Sequence, residues 1–150
     1  MRGLVQRVLK ASVIVEGNVI SEISNGVVVL VGMEAADTIE DSIWLASKIA
    51  ALRIFDDENG VMNRSLVEVG GEALVVSQFT LHALTKKGNR PSYIRAARPE
   101  VAIPLYNQFV ADVQALILTP VKTGSFGAHM QIMIVNDGPV TIWIDTKNRE

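Results

Sequence analysis

The chain has 150 residues, 49% of them hydrophobic and 20% charged, with a net charge of −2 and no cysteine. This is enough chain for one domain with a sizeable core, and the balance is globular rather than disordered. Disulfides and thiolate metal centres are excluded; the longest apolar run, Val27 to Val31, is too short to cross a bilayer, and Met1 to Arg7 has no apolar leader, so a cytoplasmic enzyme or binding module is the expectation.

Leu4 to Lys10 and Ser12 to Glu16 read as strands, with Glu16-Gly17-Asn18 as the turn that follows. The unbroken β-branched run Gly26 to Gly32 predicts a strand buried on both faces. Asp37, with Glu40 three residues on, has capping-box spacing and opens a helix reaching Leu52, with Ile39, Ile43, Ala46 and Ala50 on its apolar face. Asp56 to Gly60 is a polar turn, Glu72 to Leu81 a strand, and Lys86 to Arg98 a loop. Pro99 begins a second helix running to Ile117, with Ala102, Leu105, Phe109, Val113 and Leu116 facing the core. Pro104 removes a backbone donor inside it, so this helix either starts later or kinks. Met130 to Val135 and Val140 to Asp145 are final strands on either side of Asn136-Asp137-Gly138-Pro139. No linker or repeat divides the chain. The pattern is one mixed α/β domain over residues 1–150, dominated by strands, with two main helices.

Conventional catalytic motifs are missing. There is no G-x-S-x-G elbow, H-E-x-x-H pair or Walker loop, and neither His82 nor His129 has a carboxylate orienter nearby in sequence. No metal and no cofactor are expected. Two segments stand out. Ser77-Gln78-Phe79-Thr80-Leu81 brings hydroxyls and an amide to the end of an apolar strand, either facing water or presenting function. Asn136-Asp137-Gly138-Pro139 reads on composition alone as a hairpin turn. Between them Lys86, Lys87, Arg90, Arg95 and Arg98 fall in thirteen residues without an acid, either a solvated loop or a phosphate-binding patch.

Together these segments resemble the D-aminoacyl-tRNA deacylase family. The resemblance rests on Ser77-Gln78-Phe79-Thr80-Leu81 and Asn136-Asp137-Gly138-Pro139-Val140-Thr141. It extends through Gln6-Arg7-Val8, Ala11-Ser12-Val13, Arg53-Ile54-Phe55, Met62-Asn63, Gly88-Asn89-Arg90-Pro91-Ser92, Thr123-Gly124-Ser125-Phe126 and Met130-Gln131, in order over nearly the whole chain. It implies a barrel-like sheet with two helices in a homodimer, whose active sites lie at the subunit interface. Ser77, Gln78, Phe79 and Thr80 would line each pocket, with Gly138 and Pro139 of the partner subunit, in a cis peptide, as the wall that rejects L-amino acids. Arg7 would steady that wall, and Phe126 and Met130 would form the adenine and pocket side.

The implied reaction is hydrolysis of the ester of D-aminoacyl-tRNA, and of glycyl-tRNA mischarged on tRNA(Ala), assisted by the 2′-hydroxyl of the terminal adenosine. Thr80 has no visible base to activate it as a nucleophile. Lys86, Lys87, Arg90, Arg95 and Arg98, with Tyr93 among them, are the candidates for acceptor-stem phosphates. Three rivals remain: a synthetase-type editing domain for an L-amino acid, a non-enzymatic RNA-binding module, and a hydrolase of small esters using Ser77 or Thr80. Aromatic residues make up only 5% of the chain, which argues against stacking platforms for single-stranded RNA.

Overall fold

The computed structural model describes residues 1–150, and one long strand organises it. Strand β1 (Arg2–Val15) pairs antiparallel along one edge first with β3 (Gly26–Gly32) and then with β2 (Asn18–Ile23). Along its other edge it pairs with β8 (Gln131–Asp145), from Arg2 opposite Asp145 to Ile14 opposite Gln131. The two strands predicted at the start are therefore one. The turn between β1 and β2 falls where expected, with Glu16 and Gly17 at φ 50° and 80°.

Beyond β3 the sheet continues parallel through β6 (Glu72–Ser77) to β7 (Lys122–Thr123), and β4 (Phe55–Asp56) and β5 (Met62–Arg64) form a separate small ribbon. Parallel neighbours and helical cover account for the apolar runs in β3 and β6, whose residues are almost all buried. One face, with Val5, Val27, Val29, Val31, Ala73 and Val75, packs under α1 (Ile39–Ala51) and α2 (Pro99–Gln114). On the opposite face Val28, Leu74 and Val76 meet Val8, Val13 and Ile23, with Ile132 and Ile134 of β8 against them, so the sheet curls into a nearly closed barrel.

Both helices sit slightly differently from expectation. The α1 cap is Thr38, whose N–H donates to Asp41 Oδ2 at 2.9 Å, so the capping box lies one residue later than Asp37 and Glu40. Asp37 is drawn inward instead, where it meets the Met1 amino group and accepts from the Glu34 N–H at 2.8 Å. The buried side of α1 is Ser42, Leu45, Ala46, Ile49 and Ala50, while Ile39 and Ile43 are exposed. Leu45 and Ile49 reach into the space left by Gly3, where a Cβ would stand 3.4 Å from Leu45 Cδ1, and this docking rotates the helix.

Helix α2 begins at Pro99 and runs through Pro104 to Gln114, three residues short of the predicted end. Pro104 is exposed, so the Glu100 carbonyl that loses its donor faces the solvent side of the helix. Tyr106 is buried in place of Leu105, and Leu116 lies beyond the helix and is exposed.

Candidate active site

The predicted strand Glu72–Leu81 stops at Ser77. Gln78 N–H makes the last tie to β3, donating to Val31 O at 2.7 Å, and Phe79–His82 then forms one turn of 3-10 helix. Gly32 lets the chain turn there. A Cβ on it would stand 2.7 Å from Gln78 O and 3.1 Å from the His82 ring. Within the turn Leu81 N–H donates to Gln78 O at 3.3 Å, and Ala83 N–H donates to Thr80 O at 3.0 Å. The N–H groups of Phe79 and Thr80, the first two of the turn, have no acceptor within it, because Leu81 N–H makes its first internal bond. Gln78 Nε2 donates to Thr80 Oγ1 at 2.5 Å, so the hydroxyl is held by an amide and by no base. Phe79 is 57% exposed and meets Tyr93 edge-on at 5.1 Å.

Ser77, Gln78 and Phe79 edge a cavity of about 510 Å³. Phe126 and Met130 form part of its opposite side, and Tyr93, Arg98 and His129 also line it. The sulfur of Met130 is set by Gly124, where a Cβ would come within 2.6 Å of it, and by Ser125 N–H donating at 3.4 Å. Phe126 packs edge-on against Tyr106 at 5.6 Å, and the Tyr106 hydroxyl donates to Val75 O at 2.9 Å. Burial pushes the Tyr106 phenol up to about 12, so it remains a donor at neutral pH. The wall is thereby bolted to the core of the sheet.

Arg7, Gly138 and Pro139 lie away from this cavity in the same chain. The segment Asn136–Pro139 is not a hairpin turn; it belongs to one continuous strand, β8. Asn136 pairs with Val8 and Thr141 with Gln6, so Asp137 to Val140 bulge out opposite the single residue Arg7. Arg7, buried in β1, anchors the bulge: its Nε lies 3.0 Å from Asp137 Oδ2 and donates to Asp137 O at 3.3 Å. Its Nη1 donates to Ile54 O at 2.7 Å and Asp56 Oδ1 at 3.3 Å. Asn136 Oδ1 accepts from Val140 N–H at 3.0 Å. The Gly138–Pro139 peptide is cis, Gly138 has φ 121°, and both residues are exposed.

The basic residues divide into three groups. Lys86, Lys87 and Arg90 are exposed and make no ion pair. Arg95 pairs with Glu34 at 3.2 Å, and Arg98 is the one that lines the cavity. A bridge between Leu84 and Ser92 closes the loop that carries Lys86 to Arg90.

Sequence reasoning gives no role to either histidine or to Arg2. His82 is fully buried, neither ring nitrogen has a partner, and burial lowers its pKa, so the ring is neutral. His129 stands at the cavity, between Phe126 and Met130 in sequence, and that position is its available signal. Arg2 donates to Leu81 O at 2.9 Å, at the end of the 3-10 turn.

Residues 4–145 match the family model described as D-Tyr-tRNA(Tyr) deacylase. The chain is 60% identical over its whole length, and the whole of the relative's, to the D-aminoacyl-tRNA deacylase of Parabacteroides distasonis. It is 59% identical, again over both full chains, to that of Chromobacterium violaceum. Among solved structures it superposes on the c-Myc DNA Unwinding Element Binding Protein with a TM-score of 0.92 at 41% identity, covering 97% of this chain and 98% of that one. A probable eukaryotic D-amino acid tRNA deacylase shares the fold, with a TM-score of 0.81 at 18% identity over 95% and 97% of the two chains. The chain belongs to the D-aminoacyl-tRNA deacylase family.

Proposed function

We propose that the protein hydrolyses the ester of D-aminoacyl-tRNA, releasing the D-amino acid and free tRNA, and spares L-aminoacyl-tRNA. The observation that carries this reading, beside family membership, is the pair of N–H groups of Phe79 and Thr80 that the 3-10 turn leaves without an internal acceptor, Phe79 at the edge of the cavity and Thr80 next to it in the turn. Two backbone donors that the turn itself does not use suit the oxyanion that develops when a carbonyl ester is attacked, because their positions are fixed beforehand. Gln78, already bonded to the Thr80 hydroxyl, orients the terminal ribose or the attacking water. Phe126 and Met130 offer the apolar side against which adenine packs.

No acid or base is hydrogen-bonded to Thr80, which disfavours it as a nucleophile. The 2′-hydroxyl of the terminal adenosine supplies the missing assistance, and the protein contributes by positioning and by fixed dipoles. Chirality is read by Gly138 and Pro139 of the partner subunit in a homodimer. Gly138, without a side chain, lets main chain approach the amino group common to all substrates, while an L side chain points into the wall and is excluded. A glycyl group meets no such obstacle, so glycyl-tRNA mischarged on tRNA(Ala) is a second substrate. Dimerisation is supported by the unpaired outer edge of β8 and by exposed Met133, Val135 and Trp143 along that strand. Lys86, Lys87, Arg90 and Arg98 hold acceptor-stem phosphates; Arg95 is partly neutralised by Glu34.

The test is direct. Matched D- and L-tyrosyl-tRNA are incubated with the protein and ester loss is followed. Loss confined to the D-substrate is expected, and equal loss of both would refute the reading in favour of a general esterase.

A further inference from the structure

The 3-10 turn that carries Phe79 and Thr80 is short, and such turns have poorly aligned internal hydrogen bonds, so their aim depends on what holds their ends. One end is held by β3, through Gln78 N–H and Val31 O at 2.7 Å. At the other end the Leu81 carbonyl accepts from Arg2 Nη1 at 2.9 Å. Arg2 is itself fixed: its Nε donates to Asp145 Oδ2 at 2.8 Å, and Asp145 Oδ1 accepts from Lys147 N–H at 2.9 Å. The side chains of Arg2 and Asp145 are only 18% and 11% exposed, so water competes little for this pair. The Trp143 ring lies 5.6 Å from the guanidinium and flanks it. A planar fork with several donors can serve a carboxylate and a carbonyl together; a single ammonium cannot do so with the same geometry.

We infer that Arg2 is a positioning residue for deacylation: by clamping Leu81 to the end of β8 it fixes where the N–H groups of Phe79 and Thr80 point. The inference rests on the proposed role of those two N–H groups. Arg2 touches no substrate in this scheme, and its effect falls on the chemical step rather than on tRNA binding. Asp145 acts through Arg2, holding its fork in register. The same link joins the turn to the strand that carries Gly138 and Pro139.

The experiment compares the wild-type protein with Arg2→Met, Arg2→Lys and Asp145→Asn, each as full chains with D-tyrosyl-tRNA. Losing a charge-assisted hydrogen bond that directs the oxyanion donors should lower the kcat of Arg2→Met by about tenfold or more. Its KM should stay within about twofold, because the groups that bind substrate are untouched. Amide exchange at Leu81 and Ala83 should quicken, with β6 amides unchanged. Arg2→Lys should recover part of kcat, and Asp145→Asn combined with Arg2→Met should be no worse than Arg2→Met alone.

A wild-type kcat in folded Arg2→Met, or a rise in KM alone, overturns the inference. So does unchanged exchange in the turn. If Arg2→Met does not fold, Arg2→Lys decides: a kcat equal to wild type overturns it. Failure of the proposed function is seen separately, as wild-type protein that does not distinguish D- from L-tyrosyl-tRNA.

Discussion

Arg7 and Asp137 meet twice, Nε lying 3.0 Å from the carboxylate and 3.3 Å from the main-chain carbonyl of the same residue. Arg7 is buried and also donates to Ile54 O at 2.7 Å, so removing it strands a shielded carbonyl as well as releasing the bulge. Arg7→Met should destabilise the fold by about 2 kcal/mol, as is typical when a buried acceptor loses its donor. Arg7→Lys should restore only part of this, because an ammonium lacks the fork. Urea unfolding of both variants measures it, and wild-type stability in Arg7→Met would mean the contact is ornamental.

Gly32→Ala tests the seat of the 3-10 turn. The new Cβ would meet Gln78 O at 2.7 Å and lies beside β3, where the backbone has little freedom to yield. Overpacking of this kind costs about 1–3 kcal/mol. Turnover of D-tyrosyl-tRNA should fall along with stability, since the displaced Gln78–Phe79 peptide carries one of the proposed oxyanion donors. A variant that is destabilised yet fully active, per folded molecule, would separate the turn from the reaction.

Thr80→Ala should retain substantial activity, because its hydroxyl is bonded to Gln78 Nε2 and has no base beside it. Substrate ending in 2′-deoxyadenosine should instead react poorly. Single-turnover rates for the four combinations check both statements. An inactive Thr80→Ala with a normally reacting deoxy substrate would reinstate a side-chain nucleophile.

Lys86 and Lys87 are exposed and unpaired, so their charge is available to phosphate. Replacing both with Ala should reduce the slope of log K against log salt by roughly two units for tRNA, about one for each lysine removed from a phosphate. Preference for D over L should survive. Binding titrations across a salt series decide it, and an unaltered slope would assign the phosphates to other residues.

Asp41 predicts an acid limb of stability. Burial alone raises its pKa, but hydrogen bonds from the Lys147 ammonium at 2.6 Å, from Thr146 and from the Thr38 N–H outweigh burial and hold it well below the usual carboxylate range. A folded-state pKa below the unfolded one means stability present above the unfolded value of about 4 and lost as pH falls through the folded one. Lys147 is 40% exposed, so screening trims the effect and added salt should shrink it. Asp41→Asn should flatten the stability curve below pH 4 relative to wild type. An acid limb of unchanged depth would assign it to other carboxylates.

Much of the fold is readable in the sequence because its core strands are apolar without alternation and its helices carry clear start signals. The strand ends are not. Ser77 to Leu81 reads in sequence as the polar end of an apolar strand, yet Gly32 on the neighbouring strand admits a turn there, and that is a contact between β3 and residues more than 40 positions later. Asn136-Asp137-Gly138-Pro139 has the composition of a hairpin, but β1 is long enough to pair on both sides of it and turns it into a bulge. The α1 face differs from its periodicity for a similar reason: spacing gives the stripe, while docking on Gly3 chooses which part of it is buried. The chemistry-bearing segments are visible as family pattern, whereas Arg2 and His129 show their surroundings only in three dimensions.

The pairing of β1 with β8 also orders events as the chain folds. Arg2 and Asp145 are separated by 143 positions. Strands β1, β2 and β3 lie within the first 32 residues and can meet as soon as they are made, but β1 keeps one edge bare until β8 is complete. Remote pairings form slowly, and an open edge in the meantime invites other strands. Because Arg2 and Arg7 both end on β8, neither grip exists before that closure. In a refolding reaction, burial of the β3 core should precede recovery of turnover, and the lag between them would time the arrival of the last strand.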